Sequence, residues 1–437
     1  MHQLNDKKIV RAWTMYDWAN SAYNLIINSA IFPSYFTAIV PVTVAVFGTE
    51  VKNESIASWA ISTAYIIVAC ISPLLSAIAD YKGNKKTFMR FFTMLGAICC
   101  MAMFFFKKDG NDVNTWYGVS LSIMACVGYC GSLVFYNAYL PEIASKDQQD
   151  AVSARGFSMG YIGSVSLLVC CLVFIILNDK HLWVDKSLPA RVAFVLVGLW
   201  WLAWSQIPFK RLPNIKASNA SGVNIYKAGY QKLQHVWREL KHQPILTRYL
   251  LSFAFITMGV QTVMFMATYF AAKEIKLEQS QLIITILLIQ IIAIGGAYVF
   301  AKVAKQYGSK LSISIMLVIW IGICYAAYDK HIVKDVNSFY ILAAVVGVVM
   351  GGIQSTTRST YSKLLPITKD VTSYFSFYDV VEKLSIVIGT ASFGLMSNAM
   401  SMRESALMLG GYFIIGLTIL LSTDLSKTKF ANDTTHN

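Results

Sequence analysis

Twelve times along the chain, an apolar run of about 20 residues alternates with a short polar connection, the length a helix needs to cross the hydrocarbon of a bilayer. The runs fall near residues 13–40, 56–79, 87–106, 115–140, 156–177 and 189–208, and again near 246–270, 280–302, 311–328, 338–361, 374–398 and 405–423. Backbone groups in lipid must be satisfied within the segment, so each run predicts an α-helix. Two runs carry more polar groups than the rest. The first holds Asp17 with Asn20, Asn24 and Asn28, and the eleventh holds Asp379, Glu382 and Lys383. The pattern predicts an all-α membrane protein with twelve transmembrane helices as two six-helix bundles, residues 1–208 and 246–437. Residues 209–245 join them and contain KRLPNIKASNASGVN and then KAGYQKLQHVWRELKHQ. The second part reads as an amphipathic basic helix on the membrane surface.

Composition removes the alternatives. Apolar residues make up 56% of the 437, and charged residues 14%, against about 25% in an ordinary soluble domain. Mean hydropathy is +0.53. A soluble globule, a disordered chain and an enzyme core with one anchor helix are all excluded. The formal charge of +14 would suggest nucleic acid in a soluble protein. Here the basic residues sit between the apolar runs, so membrane lipids are the expected partner and nucleic acid is not. With both termini cytoplasmic, the inner loops and helix ends hold 24 of the 37 Lys and Arg, and the outer ones 11. The positive-inside rule therefore predicts that orientation. The eight cysteines lie in apolar runs and read as small core residues. Of Trp13, Trp18, Trp59, Trp116, Trp183, Trp200, Trp201, Trp204 and Trp320, most lie near helix ends and read as interfacial anchors.

A faint repeat links the halves. AIADYKGNKK follows the second run and KVAKQYGSKL the eighth, with Gly83 and Gly308, and Lys85 and Lys310, 225 positions apart. Tyr136 and Tyr361, and Pro141 and Pro366, keep the same offset. Two anchors at one offset predict a duplicated six-helix unit, and parallel repeats around a midplane cavity are a transporter architecture. Asp80, at a helix end before the turning Gly83, can pair with a base or cap a neighbouring helix N-terminus when the cytoplasmic side is shut. Its counterpart in the second half is Lys305.

The loop Asp80-Tyr81-Lys82-Gly83-Asn84-Lys85-Lys86 resembles the signature loop of the major facilitator superfamily. Residues 11–24, RAWTMYDWANSAYN, resemble the opening helix of its vacuolar amino-acid effluxer-like ("unknown major facilitator") family. FYNAYLPEI at 135–143, GVQTV at 259–263, GIQSTTRS at 352–359 and SFYDV at 376–380 match as well. The resemblance implies a secondary transporter with no covalent chemistry and no cofactor, and fungal members are associated with amino-acid release from the vacuole. Two departures mark this chain. Ile256-Thr257-Met258 stands where the family usually has an acidic residue, and Glu382 where it commonly has a small one.

At 100° per residue, Asp17, Asn20, Asn24 and Asn28 fall within about 80° of arc on the first helix. Such a stripe faces the bundle interior, where it either lines a cavity for a zwitterionic or hydroxylated solute or glues the helix to its neighbours. Residues nearer the midplane are the expected substrate contacts: Asn20, Tyr23, Asn24, Asn28, Tyr136, Asn137, Gln261, Gln290 and Gln354. The charges within the spans need partners, because an isolated one costs about 3 kcal/mol. Asp379 with Lys383 is the local pair, and Arg358 with Asp17 or Asp379 the long-range one. Their shallow depth suggests a cytoplasmic gate made of Asp17, Asp80, Arg358, Tyr378, Asp379 and Lys383, with Glu382 as the proton carrier.

The expected activity is alternating-access transport of a small polar solute, with amino-acid efflux and proton coupling favoured. A cation or drug exporter by proton antiport is the first rival. A non-transporting sensor is the second, and it should carry an appended soluble domain where this chain has a tail of about 14 residues. The six histidines lie outside the runs and no nucleophile or metal-ligand constellation occurs within them, so an enzyme, a metal and a cofactor are not expected. No obligate protein partner is evident. Short loops, and the lack of a cleavable signal or targeting extension, point to the cytoplasmic membrane of a bacterium.

Overall fold

The computed structural model describes residues 4–425 apart from 47, 110–111, 182–184, 186 and 214–224. Residues 214–224 of the linker start, Trp183, most of the C-terminal tail and the extreme N-terminus therefore lie outside the described residues. The first span is composite: α1 runs Lys7–Ala22, continues as the π-helical stretch Tyr23–Ala30, and ends with Ile31–Ile39. The remaining spanning helices are α2 (Asn53–Lys82), α3 (Lys85–Ala102), α4 (Thr115–Asn137), α5 (Gln149–His181) and α6 (Leu188–Arg211) in the first half. The second half holds α7 (Pro244–Phe270), α8 (Gln279–Tyr307), α9 (Ser309–Tyr328), α10 (Val336–Leu364), α11 (Val371–Ala399) and α12 (Met402–Ser422). A separate linker helix, Ile225–Lys241, precedes α7. Three helices outrun their apolar runs clearly, α2 by about a turn at each end, α5 by about two turns at its start and one at its end, and α8 by more than a turn at its end, because polar residues extend a helix into the interface once the apolar part is held.

Eleven of these helices are long and apolar enough to span a membrane by composition, among the described residues. The exception is α1, whose inward stripe is polar. It is held instead by packing against α5 and α6. Each half has its own apolar core, one built around Trp13, Tyr23, Phe92 and Trp201 and the other around Tyr249, Trp320, Tyr361 and Phe413. Trp13, Trp201 and Trp320 are thus fully buried core residues and not interfacial anchors, whereas Trp59 and Trp116 are exposed. Cys70 and Cys170 likewise face outward and not into the core. The halves meet along α2 with α11, α5 with α8 and α5 with α10. Small hairpins, Thr43–Val46 with Thr49–Lys52 and Lys108–Asp109 with Asp112–Val113, close two connections at the end of the bundle away from the linker helix.

The repeated loops turn at Gly83 (φ 64°) and Gly308 (φ 91°), a region that favours glycine. The second loop is one residue tighter. Gly308 both ends α8 and caps α9, while Gly83 ends α2 and Asn84 caps α3. The constant offset of 225 therefore slips here, and Lys310 matches Lys86 and not Lys85. Lys86 donates to the carbonyls of Phe209 and Leu212 at the end of α6, and Lys310 to those of Leu421 and Thr423 at the end of α12. Cations there complement a helix C-terminus.

Candidate functional site

Between the halves lies a cavity with about 1410 Å³ of empty space, part of it continuous with solvent. Its lining includes Asp17, Asn20, Asn24, Asn137, Gln261, Gln290, Gln354, Arg358, Tyr378, Glu382 and Lys383. Six amides from α1, α4, α7, α8 and α10 converge on one space, and two charged pairs bound it. Ile256 and Thr257 of α7 share this wall.

The floor is formed around Arg358. Its Nη1 and Nη2 both lie 3.5 Å from Asp17 Oδ2, so of the two long-range partners expected for it the structure pairs it with Asp17. Nε donates to Ser153 Oγ at 3.0 Å, Nη2 to the Ser153 carbonyl at 3.0 Å, and Nη1 to Asn137 Oδ1 at 3.3 Å. The guanidinium also stands over Phe157, Trp13 and Tyr136, with 4.2, 4.9 and 5.7 Å to the ring centroids. A side chain of the second half is thus caged by the first. Asp17 takes its shortest bond from the Tyr136 hydroxyl, at 2.6 Å. Gly156 makes room for the cage: a Cβ there would come within 3.0 Å of Arg358 Nη2 and of the Trp13 ring, and closer still to Asp17 Oδ2.

Further links between the halves gather at the end of the bundle that carries the linker helix. The carboxylate of Asp80 accepts the N–H groups of Thr372 (3.2 Å) and Ser373 (2.7 Å) and the Ser373 hydroxyl (2.8 Å), capping the N-terminus of α11. Asp150 in the first turn of α5 accepts from Lys363 at 2.7 and 2.8 Å and from the Ser359 hydroxyl at 2.6 Å. Tyr161 donates to Gln354 at 2.7 Å, and Ser153 to the Ser355 carbonyl at 2.8 Å. The linker helix adds Lys232 to Asp370 at 2.5 Å, while Tyr374 donates to Glu239 at 2.9 Å. Sequence reasoning missed Asp150, Ser153, Tyr161 and Lys363. Only the placement of Asp150 and Lys363 in terminal helical turns hinted at them.

Three expected solute contacts sit elsewhere. Tyr23 is packed against Tyr129 and Trp201, and Tyr136 against Trp13; both are buried behind the cavity wall. Asn28 is off the lining and donates to Asn24 at 3.3 Å. The cause is the π-helical stretch. An i→i+5 turn takes up more residues than an α-turn, so the lining steps from Asn24 to Ser29, and the Ser29 hydroxyl bonds the Asn24 carbonyl at 3.1 Å. On α11, Lys383 lies 3.3 Å from Asp379 and 2.8 Å from Glu382. Glu382 and Lys383 reach the cavity with Tyr378, while Asp379 is sealed in the wall.

A family model described as "Vacuole effluxer Atg22 like" matches residues 5–432. An uncharacterized MFS-type transporter, YxiO of Bacillus subtilis, is 27% identical over 427 residues, covering 96% of each chain. Autophagy-related protein 22 of Kluyveromyces lactis is 24% identical over 418 residues, 87% of this chain and 81% of that one. Among solved structures, the major facilitator superfamily transporter FucP in its outward conformation superposes with a TM-score of 0.69 at 13% identity, covering 96% of this chain and 99% of that one.

Proposed function

Because the chain belongs to the vacuole effluxer Atg22-like family, within the major facilitator superfamily, it is a multi-pass membrane transporter, and we propose that it exports small polar solutes of the amino-acid class by alternating access coupled to protons. The observation that carries the proposal is the cavity: amides from five helices and the Glu382–Lys383 pair offer donors, acceptors and both signs of charge to one solute. A purely apolar cargo would leave those groups unpaired at a cost of about 1–3 kcal/mol each.

In this reading residues 1–208 and 246–437 rock about the site. The linker face and both termini lie, on the same reading, in the cytoplasm of a bacterial cell, a sidedness that the basic loops favour. The conformation described is then sealed toward the cytoplasm by Asp17–Arg358, Asp80 and Asp150–Lys363. Solute contacts are Asn20, Asn24, Asn137, Gln261, Gln290 and Gln354, and the α11 carboxylates carry the coupling.

Thermal unfolding of the purified protein against amino acids, dipeptides, organic cations and drugs tests this, repeated with Asn24→Ala. A ligand of the folded state stabilises it by RT ln(1 + [L]/Kd), about 2.7 kcal/mol at a hundredfold excess over Kd. Stabilisation by amino acids that is lost in Asn24→Ala supports the proposal. Stabilisation by cations or drugs alone moves the cargo to the exporter class.

A further inference from the structure

The charges around the cavity do not cancel. Asp17 and Arg358 answer one another, but α11 brings two carboxylates, Asp379 and Glu382, to the single ammonium of Lys383. Asp379 is 2% exposed, and its Oδ2 has no hydrogen-bond partner. Lys383 is buried between the two acids, and Glu382 is the acid that reaches the cavity. With all three ionised, the cluster holds one negative charge in excess inside a membrane, where an unanswered charge is costly. A positive charge has to come to it through the cavity. Two sources exist there: a proton from water, or the ammonium group of a solute. Asn20 and Gln290 line the same cavity, and Asn20 Nδ2 and Gln290 Oε1 are buried in its wall without partners.

We propose that Glu382 is the exchange site of the transporter, its carboxylate holding either the ammonium group of an amine-bearing solute or a proton, and never both. This rests on the amino-acid reading above and deepens it. The exchange balances. When the solute leaves toward the open side, a proton from the water there bonds to a Glu382 oxygen and neutralises the cluster for the return. When the linker face opens, that proton goes to the water on that side as the next ammonium arrives. No bond of the solute is made or broken, and Lys383, 2.8 Å from Glu382 and 3.3 Å from Asp379, turns to Asp379 whenever the ammonium or the proton takes Glu382. Solute export and proton entry are then obligatory partners because they compete for one group. The other groups facing the cluster are Tyr378 on α11, Tyr65 on α2 with its ring 5.7 Å from Lys383, Tyr129 and Cys130 on α4, and Arg358 on α10. The one further carboxylic acid of the cavity wall, Asp17 on α1, is held by Arg358 and by the Tyr136 hydroxyl, so the competition belongs to α11.

The test uses the purified full chain and the twenty L-amino acids taken singly, with dissociation constants measured from about pH 8 down to about pH 4, so that the series reaches the ordinary glutamate range. For each amino acid that binds, affinity should fall toward acid, approaching tenfold per pH unit. Glu382→Gln should bind more weakly with a flat pH profile, and Glu382→Asp should recover the slope; the Asp variant also answers a folding defect in the Gln one. The matching 2-hydroxy acid, which lacks the ammonium, should bind wild type and Glu382→Gln alike. An unchanged affinity and pH slope in Glu382→Gln would overturn the exchange site while leaving the amino-acid cargo standing. If no amino acid binds at any pH, the cargo reading falls and the exchange site falls with it.

Discussion

At the scale of single residues, Arg358 shows how a charge is kept inside a membrane. Its planar fork serves Asp17, Asn137 and Ser153 at once and lies over the rings of Trp13, Tyr136 and Phe157. A lysine offers a point charge in place of the fork and cannot make these contacts together. Arg358→Met removes the cation and leaves Asp17 buried beside Tyr136 alone, a loss of roughly 3–5 kcal/mol by analogy with other broken buried pairs. Asp17→Asn added to Arg358→Met should return most of it, because the orphaned charge is then gone. A double-mutant cycle on unfolding midpoints checks this; two additive penalties would mean that Asp17 and Arg358 are not energetically paired. The partner of Arg358 was legible in the sequence only as a choice of two acids at matching depth. Its cage was not, since Ser153 and Phe157 carry no charge or spacing that marks them and are more than 200 residues away along the chain.

At the scale of elements, helical phase is what the sequence conveys best, and it holds only while the helix stays regular. The stripe on α1 faces inward as its periodicity predicts through Asn24, and then the π-helical stretch hands the lining to Ser29. Nothing in Tyr23–Ala30 is a proline or a glycine, the usual marks of a helix break, while Pro73 sits inside a continuous α2. Asn24→Ala should therefore weaken solute binding more than Asn28→Ala does; the reverse order in a binding assay would restore an unbroken α-helix here. The close approach of α5 to α1 gives a second prediction. Gly156→Ala puts a methyl group against Asp17, Arg358 and Trp13. It should cost about 1–3 kcal/mol, as overpacking does, and should speed opening of the linker face. The span count and the duplicated loops were readable because lipid demands long apolar runs and tight turns demand glycine. The one-residue slip between Lys85 and Lys310 was not, because only the helix ends that Lys86 and Lys310 cap reveal which lysines correspond.

At the scale of the whole molecule, the two sides of the linker face are joined by different chemistry. Asp80 caps the N-terminus of α11 from the first half. The position matching it in the second half is Lys305, whose charge has the wrong sign to cap α5. The N-terminus of α5 supplies its own acid instead, Asp150, and holds α10 through Lys363 and Ser359. In the proposed transport cycle, opening that face breaks the Asp80 cap, the Asp150 pair and the Arg358 cage in one swing of the halves. Weakening any one of them shifts the balance between the closed and open states by its differential free energy. A charge-assisted hydrogen bond contributes about 1.5–3 kcal/mol, enough to move the ratio of states by roughly tenfold or more at 1.4 kcal/mol per decade. Lys363→Asp sets like charges against one another at Asp150, so it should favour the open state strongly. Adding Asp150→Lys should restore closure, since the pair is remade with its signs exchanged. The amides of Thr372 and Ser373 report the result directly, because they are bonded to Asp80 only while the face is shut. Their hydrogen exchange should accelerate in Lys363→Asp and return toward wild type in the exchanged pair. Exchange that is fast in both variants would show that Asp150 and Lys363 hold the face by local packing and not by their charges.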